Sequence, residues 1–198
     1  MYEYRKLTPE QRQELVKQRL ALGYPPHSPP HLHQDETLYL LTATCFIHAT
    51  IMHTPNRRDE LLDRLYELFS LNDIEIYAWV VLPNHYHVLA HVTRFDLLSK
   101  VFGRIHGYTS HAWNKEDLCQ GRKVWFRYTD RMMRSERHYY TTLNYIHYNP
   151  VKHGWINSPY DWKANSVHWY HEHKGQIGYG ICGVPIPYEI SVGDGMTF

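Results

Sequence analysis

Residues 76–92 carry the sequence IYAWVVLPNHYHVLAHV, in which two apolar runs flank the dipeptide Pro83-Asn84. Runs rich in Val, Leu, Tyr and Trp on both sides of a Pro-Asn pair are typical of a tight β-hairpin. Because alternate side chains of a strand share a face, His85 and His87 project together while Tyr86 points the other way. Two imidazoles on one face of a rigid sheet can bind one metal ion. The hairpin therefore predicts a metal site.

A His-x-His pattern has little weight by itself, because the chain contains 16 histidines among 198 residues. The pairs that occur are His31/His33, His85/His87 and His171/His173. The first lies in a proline-rich segment, where no sheet can orient it. The third lies at the end of a predicted short helix, where positions i and i+2 diverge. We predict that the middle pair alone binds the metal; two ordinary surface histidines are the alternative.

Composition limits the class of protein. A length of 198 residues suits one domain with a proper core. A net charge of +1 argues against a protein that coats nucleic acid by charge alone. No window reaches the apolar length of a membrane span, and the N-terminus has no signal-peptide core. Cys45, Cys119 and Cys182 form neither a disulfide framework nor a zinc motif. We expect a cytoplasmic protein with no membrane partner.

Positive charge is concentrated in residues 101–140, which contain eight basic and four acidic side chains. Aromatic residues such as Trp113, Phe126 and Tyr139 are interleaved with these charges. Basic groups among stacking rings are what unpaired or distorted nucleic acid requires. A solvated basic surface around core aromatics is the alternative. The candidate DNA-binding residues are Arg104, Arg122, Lys123, Arg127, Arg131 and Arg134.

The order of elements predicts an α+β fold. The expected elements are a helix from Thr8 to about Leu22, a strand at 38–46, a helix at 57–71, strands at about 74–82 and 85–92, a helix at about 96–113, a strand at 124–128 and a helix that starts at Ser135 and ends before Pro150. The order β-α-β-β-α-β is that of a ferredoxin-like antiparallel sheet with helices on one face, here followed by one more helix. We expect an N-terminal helix and arm at 1–35, this domain at 36–173 and an irregular tail at 174–198.

The last predicted helix has two different faces. Tyr140, Leu143 and Ile146 make an apolar stripe, whereas Tyr145 and Asn149 lie one above the other on a polar stripe. Beside a two-histidine metal site, a side-chain carbonyl can complete the ligand set and a phenol can attack a phosphodiester held on the metal. A surface tyrosine and an asparagine that ends its helix are the alternative. We predict that the polar stripe faces the hairpin.

Two separated motifs resemble one known family. The strand-Pro-Asn-His-Tyr-His-strand pattern is followed some sixty residues later by residues 145–154, YIHYNPVKHG. In this order the motifs resemble the single-tyrosine transposases of the HUH nuclease superfamily. They are most similar to the REP-associated tyrosine transposases, whose tyrosine helix ends in a Tyr-Ile-x-x-Asn-Pro pattern. Residues 124–128, Asp130 and residues 158–162 add supporting matches, so the resemblance covers roughly residues 36–170.

The resemblance implies a role for each motif residue. His85 and His87 match the metal-binding pair of the family. Tyr145 matches the nucleophile, and Asn149 takes the place where relatives carry Asn or Gln as the third ligand. The implied cofactor is a divalent metal, Mg²⁺ or Mn²⁺. Two imidazoles and an amide oxygen are a softer ligand set than Mg²⁺ usually takes, which suits Mn²⁺.

The implied function is that of a metal-dependent single-stranded DNA endonuclease and strand transferase, a transposase that forms a 5′-phosphotyrosine intermediate. Its expected partner is single-stranded DNA with a hairpin or an imperfect palindrome. A catalytically idle hairpin-binding regulatory or structural protein derived from such an enzyme is one alternative. A metal-dependent phosphohydrolase, which would not need Tyr145, is another. The arm and tail outside the resemblance favour a monomer over a homodimer; placement of Tyr145 in cis or in trans stays open.

Overall fold

The computed structural model describes residues 7–21 and 34–174 of the chain. Its first helix, α1 (Pro9–Ala21), belongs to a compact unit separate from the one that follows. The helix begins near Thr8, as predicted, and Thr8 and Gln11 form a capping box at its start. The Gln11 N–H donates to Thr8 Oγ1 over 3.3 Å, and the Thr8 N–H donates to Gln11 Oε1 over 2.9 Å.

Some sequence predictions concern residues outside these ranges. The pair His31/His33, most of the predicted arm and nearly all of the predicted tail lie outside the described residues, so the domain boundaries stay predictions. Cys45 is buried and Cys119 is exposed, and both are free thiols. Where the chain is described, no helix has the length and apolar character needed to cross a membrane.

The second unit is built on a four-stranded antiparallel sheet. Its elements in chain order are β1 (Thr37–Thr44), α2 (Pro55–Ser70), β2 (Ile74–Val81), β3 (His85–Val92), α3 (Leu98–Glu116), β4 (Thr129–Met132), α4 (Glu136–Lys152) and α5 (Val167–Lys174). The strand order is β2-β3-β1-β4, and every pairing is antiparallel. This topology confirms the predicted ferredoxin-like βαββαβ fold, with β3 at the centre beside β1.

The two faces of the sheet have different coverings. On one face, Tyr86 and Val88 of β3 pack in a core with the apolar sides of α2 and α3. On the other face, Leu89 packs in a second core that includes Leu143 and Ile146 of α4. Since strand side chains alternate, His85 and His87 lie on the same face as α4. The two central helices therefore cover one face, as predicted, and the tyrosine-bearing helix covers the other.

The fourth strand lies later in the chain than predicted. The ladder with β1 is formed by Thr129–Met132, and the expected segment 124–128 contributes only an isolated bridge between Trp125 and Cys45. The Trp125 ring stacks on His106 at 4.5 Å, and its indole N–H donates to Thr109 Oγ1 over 2.9 Å. These contacts with α3 hold residue 125 in the core, and the regular ladder resumes only after residue 128.

The tyrosine helix is longer than predicted, because α4 continues through Pro150 to Lys152. Proline has no N–H for the carbonyl four residues earlier, but its φ is compatible with a helix, and here it lies in the last turn. The Trp155 N–H donates to the Pro150 carbonyl over 3.0 Å, and Gly154 has φ +71°. A residue in the left-handed conformation just after the helix is a common helix stop, so Gly154 ends α4 and Pro150 does not.

Candidate active site

The polar stripe of α4 faces the hairpin, as the sequence predicts. Ser135 caps the helix by accepting a hydrogen bond from the His138 N–H over 3.1 Å. One turn apart on α4, Tyr145 and Asn149 reach β3. The Tyr145 hydroxyl lies 3.2 Å from His87 Nε2, and Asn149 Oδ1 lies 3.2 Å from His85 Nε2. All four predicted site residues thus meet within a single chain.

Neighbouring side chains orient both imidazoles. Asn84 Nδ2 donates to the His48 carbonyl over 3.4 Å, which turns Asn84 Oδ1 towards His85 Nδ1 at 2.7 Å. Oδ1 can only accept, and this contact is shorter than the 3.2 Å between His85 Nε2 and Asn149 Oδ1, so it favours a proton on Nδ1 and a lone pair on Nε2. Thr42, directly across from His87 in the β1–β3 register, lies 2.7 Å from His87 Nδ1, and its hydroxyl can donate to this nitrogen or accept from it. Outer contacts of this kind orient the rings of metal-binding histidines.

The donor set fits a divalent cation. With the proton on Nδ1, His85 Nε2 and Asn149 Oδ1 present lone pairs to each other across 3.2 Å, a contact that a cation between them would make attractive. The Asn149 Nδ2 atom is buried and makes no hydrogen bond to another described residue. In the described part of the chain, no three His, Cys, Asp or Glu side chains form a metal-binding group. The amide oxygen would therefore be the third protein ligand.

Burial keeps both imidazoles neutral, as metal binding requires. Burial, with a smaller contribution from His153, lowers the pKa of His85 to about 4. Burial, followed by the neighbouring His85, lowers the pKa of His87 well below its ordinary value. The opposite holds for the phenol: burial raises the pKa of Tyr145, and the Asn149 side chain partly opposes that shift. The resting Tyr145 is thus protonated at neutral pH and needs activation to act as a nucleophile.

Sequence reasoning missed several residues around this centre. The His153 ring packs edge-on against His85 with centroids 4.9 Å apart, and the Lys152 ammonium lies 5.0 Å from the Tyr145 ring centroid. A signal for His153 exists, because it follows Asn149 by four residues and so continues the polar stripe. No local signal marks Thr42, whose role depends on strand register.

The predicted DNA-binding residues have different surroundings. Arg122 is held by Asp117 over 2.7 Å and by Asn114 Oδ1 over 3.0 Å, inside an intramolecular network. Lys123 is exposed, with its ammonium over the Phe46 and Phe126 rings. The other four are exposed: Arg104, Arg127, Arg131 and Arg134. Their roles towards DNA stay predictions.

The third His-x-His pair lies on the short helix α5, as predicted. Both His171 and His173 are exposed, and His173 Nδ1 lies 2.9 Å from the Trp169 carbonyl. Their predicted lack of a role in metal binding stays a prediction.

Comparisons with known proteins show the family to which the chain belongs. The profile of the family described as "Transposase IS200 like" matches residues 40–149. The REP-associated tyrosine transposase of Escherichia coli (strain K12) is 32% identical over 122 residues, which cover 57% of this chain and 71% of that protein. A solved structure titled as a REP-associated tyrosine transposase bound to a REP hairpin shares the fold, with a TM-score of 0.65 and 22% identity over 86% of this chain and 99% of that one. The chain therefore belongs to the IS200-like transposase family and is of the REP-associated tyrosine transposase type.

Proposed function

We propose that this protein cuts and rejoins single-stranded DNA at hairpin-associated sites, with Tyr145 as the nucleophile. The observation that supports this most directly is the position of the Tyr145 hydroxyl, 3.2 Å from His87 Nε2 and one helical turn before Asn149. His85, His87 and Asn149 would hold a divalent ion, Mg²⁺ or Mn²⁺. When bound, that ion would supply positive charge to the scissile phosphate and to the developing phenolate.

The chemistry assigned to Tyr145 is an in-line displacement. The phenolic oxygen gives up its proton and bonds to phosphorus, the bond from phosphorus to the 3′ oxygen breaks, and that oxygen leaves as a 3′-hydroxyl. The 5′ end of the DNA stays on Tyr145 as a phosphodiester, so a later 3′-hydroxyl can reverse the step and rejoin the strand without ATP. The His87 ring and the Lys152 ammonium flank the phenol at 5.0 Å between centres, which limits its rotation.

The proposed partner is a single strand folded into a short hairpin or an imperfect palindrome. A structure of a REP-associated tyrosine transposase bound to a REP hairpin shares this fold. The exposed side chains of Arg127, Arg131 and Arg134 suit phosphate contacts, so affinity should fall steeply with salt. A monomer would suffice for the reaction, because Tyr145 reaches the histidines of its own chain.

The test is the covalent product. The single-stranded flanks of the protein's own gene are incubated with the protein and Mg²⁺ or Mn²⁺, and adducts are resolved on denaturing gels. Tyr145→Phe removes one oxygen and should abolish the adduct while hairpin binding and folding are retained. Tyr148→Phe is the matched control, because Tyr148 lies on the exposed side of the same helix; it should keep the adduct.

Three results would contradict the assignment. If Tyr148→Phe loses the adduct and Tyr145→Phe retains it, the nucleophile is Tyr148 and the assignment of Tyr145 is wrong. Metal-dependent turnover without any adduct would indicate a phosphohydrolase that uses water. Hairpin binding with neither turnover nor adduct would indicate a regulatory or structural DNA-binding protein.

A further inference from the structure

An aromatic surface lies at the end of β1, outside the residues assigned to the active site. We call it the aromatic ledge and define it as Phe46, Phe126 and Lys123. The two phenyl rings are nearly parallel, with centroids 5.8 Å apart and an interplanar angle of 13°. The Lys123 ammonium lies 4.4 Å from one centroid and 5.2 Å from the other. Rings and a cation are therefore presented together on an exposed surface.

The strand pairing places this ledge beside the candidate metal site. The isolated bridge pairs Cys45 with Trp125, and both of these side chains are buried in the core under α2 and α3. Neither Phe46 nor Phe126 is among the described residues that pack in that core, and the Phe126 ring is 53% exposed. The Phe126 N–H donates to the Thr44 carbonyl over 2.8 Å.

Thr44 in turn lies directly opposite His85 in the β1–β3 register. His85, Thr44 and Phe126 thus form one row across three neighbouring segments of chain. At the usual spacing between strands, Phe126 is about 10 Å from His85. An adjoining nucleotide of a strand whose phosphate lies at the metal site can cover that distance.

The turn next to the ledge has an unusual backbone. Ile47 and His48 are consecutive non-glycine residues with φ +51° and +54°, a conformation that a β-branched residue adopts rarely. It leaves the Ile47 side chain 77% exposed, and the His48 carbonyl accepts a hydrogen bond from Asn84 Nδ2. Strained backbone of this kind is concentrated at functional sites, and this turn connects the ledge to the residue that orients His85.

We infer that the aromatic ledge is a stacking site for one unpaired nucleobase of the DNA strand next to the scissile phosphate. The base would stack on the Phe126 ring, and the Lys123 ammonium would move from the rings to an adjacent phosphate. A nucleic acid fits this surface better than a protein segment does, because a base supplies an aromatic face and its phosphate supplies the negative charge that Lys123 and the exposed Arg127 require. The inference rests on the proposed function, since it assumes that a DNA strand reaches His85.

The test measures DNA affinity in protein that cannot cleave. In a Tyr145→Phe background, the probe is the single-stranded flank of the gene, carrying a hairpin and tails, and binding is followed by fluorescence anisotropy. Phe126→Ala should weaken binding about tenfold or more, and Phe126→Tyr should restore it, because stacking of one base is sequence-tolerant and needs only a ring. The matched control is Tyr108→Ala, which removes another exposed ring, on α3. This ring also lies near a cation, because the Arg64 guanidinium is 4.0 Å from its centroid.

An abasic scan then identifies the base. The bases of the tails are removed one at a time. With Phe126 present, the loss of one particular base should weaken DNA binding. In Phe126→Ala the loss of that base should have no further effect. Equal affinities of Phe126→Ala and Tyr108→Ala, or an abasic penalty that Phe126→Ala leaves unchanged, would overturn the inference. The inference would also be wrong if Phe126→Ala changed the oligomeric state of the protein and left its DNA affinity unchanged.

These outcomes are separable from failure of the proposed function. If protein with Tyr145 intact forms no adduct but the Phe126-dependent abasic penalty is present, the nuclease assignment fails and the stacking site stands. If the parent protein and Phe126→Ala give equal yields of adduct at a subsaturating DNA concentration, the stacking site is wrong and the nuclease assignment stands.

Discussion

Single residues in this protein serve structure and chemistry at once. Asn84 belongs to the hairpin turn, and its side chain also joins the His48 carbonyl to His85 Nδ1. That contact favours a proton on His85 Nδ1, which leaves Nε2 to face a metal. Asn84, a residue type that is favoured in turns, therefore also orients the His85 ring towards the candidate metal site.

At the residue scale, His85→Ala should remove most of the Mn²⁺ affinity measured by calorimetry. Loss of an outer hydrogen bond to a metal ligand costs about 10–100-fold in affinity, and loss of the ligand itself should cost more. The thermal transition should be retained, because His85 lies at the end of β3 and outside both apolar cores. The double variant His171→Ala/His173→Ala is the control and should bind Mn²⁺ like the parent. Unchanged Mn²⁺ affinity in His85→Ala would remove His85 from the ligand set.

At the element scale, one buried arginine joins the two helices under the sheet. Arg57, in the first turn of α2, donates to Glu116 at the end of α3 over 3.0 Å and to the Ile51 carbonyl over 2.9 Å. It also pairs with Asp117. The Arg57 guanidinium, helped by Arg122, holds the pKa of Asp117 down to about 2. This network gives Arg122 a structural partner that composition did not reveal.

Arg57→Ala should lower the free energy of unfolding by about 2–3 kcal/mol in urea titrations. The expected loss is below the 3–5 kcal/mol typical of a buried ion pair, because Glu116 is largely exposed. The control is Arg64→Ala on the same helix, which breaks an exposed pair with Glu67 and should lower the stability much less than Arg57→Ala does. Equal losses in the two variants would show that the network adds no stability of its own.

At the scale of the whole molecule, the structure buries several histidines in neutral form. Burial lowers the pKa of His106 and of His147 to about 3, and that of His85 to about 4. In the unfolded chain the same rings have a pKa of about 6.5. Between these values the unfolded state binds protons that the native state does not. Stability must therefore fall as the pH drops below about 6.5, and the loss continues until about pH 3.

The predicted measurement is the urea midpoint at pH 7, 6 and 5, which should fall steadily. Each such histidine contributes at most about 1.4 kcal/mol per pH unit to the slope. His106→Gln keeps a polar side chain near the Tyr86 hydroxyl, 2.8 Å from His106 Nε2, and should reduce the slope by about one proton. His111→Gln, exposed on the same helix, is the control. A slope that His106→Gln leaves unchanged would contradict the assignment of His106 as a partly buried ring that stays neutral.

Local patterns were sufficient for much of the fold and for the main side chains of the candidate site. The Pro-Asn turn between two β-branched and aromatic runs predicted the hairpin, and alternation placed His85 and His87 on one face. The four-residue spacing of Tyr145 and Asn149 predicted their shared stripe. These features depend on residues that are neighbours along the chain or within one helical turn, so the sequence by itself determined them.

Contacts between distant segments were decided only by the tertiary structure. Thr42 meets His87 through the β1–β3 register, Arg122 turns inward to Asp117, and Trp125 enters the core and delays β4. The return of α4 over the sheet, which brings Tyr145 to His87 within one chain, is of the same kind. Such pairings depend on loop closure and on the packing of whole faces, and neither is encoded in a local pattern of residues.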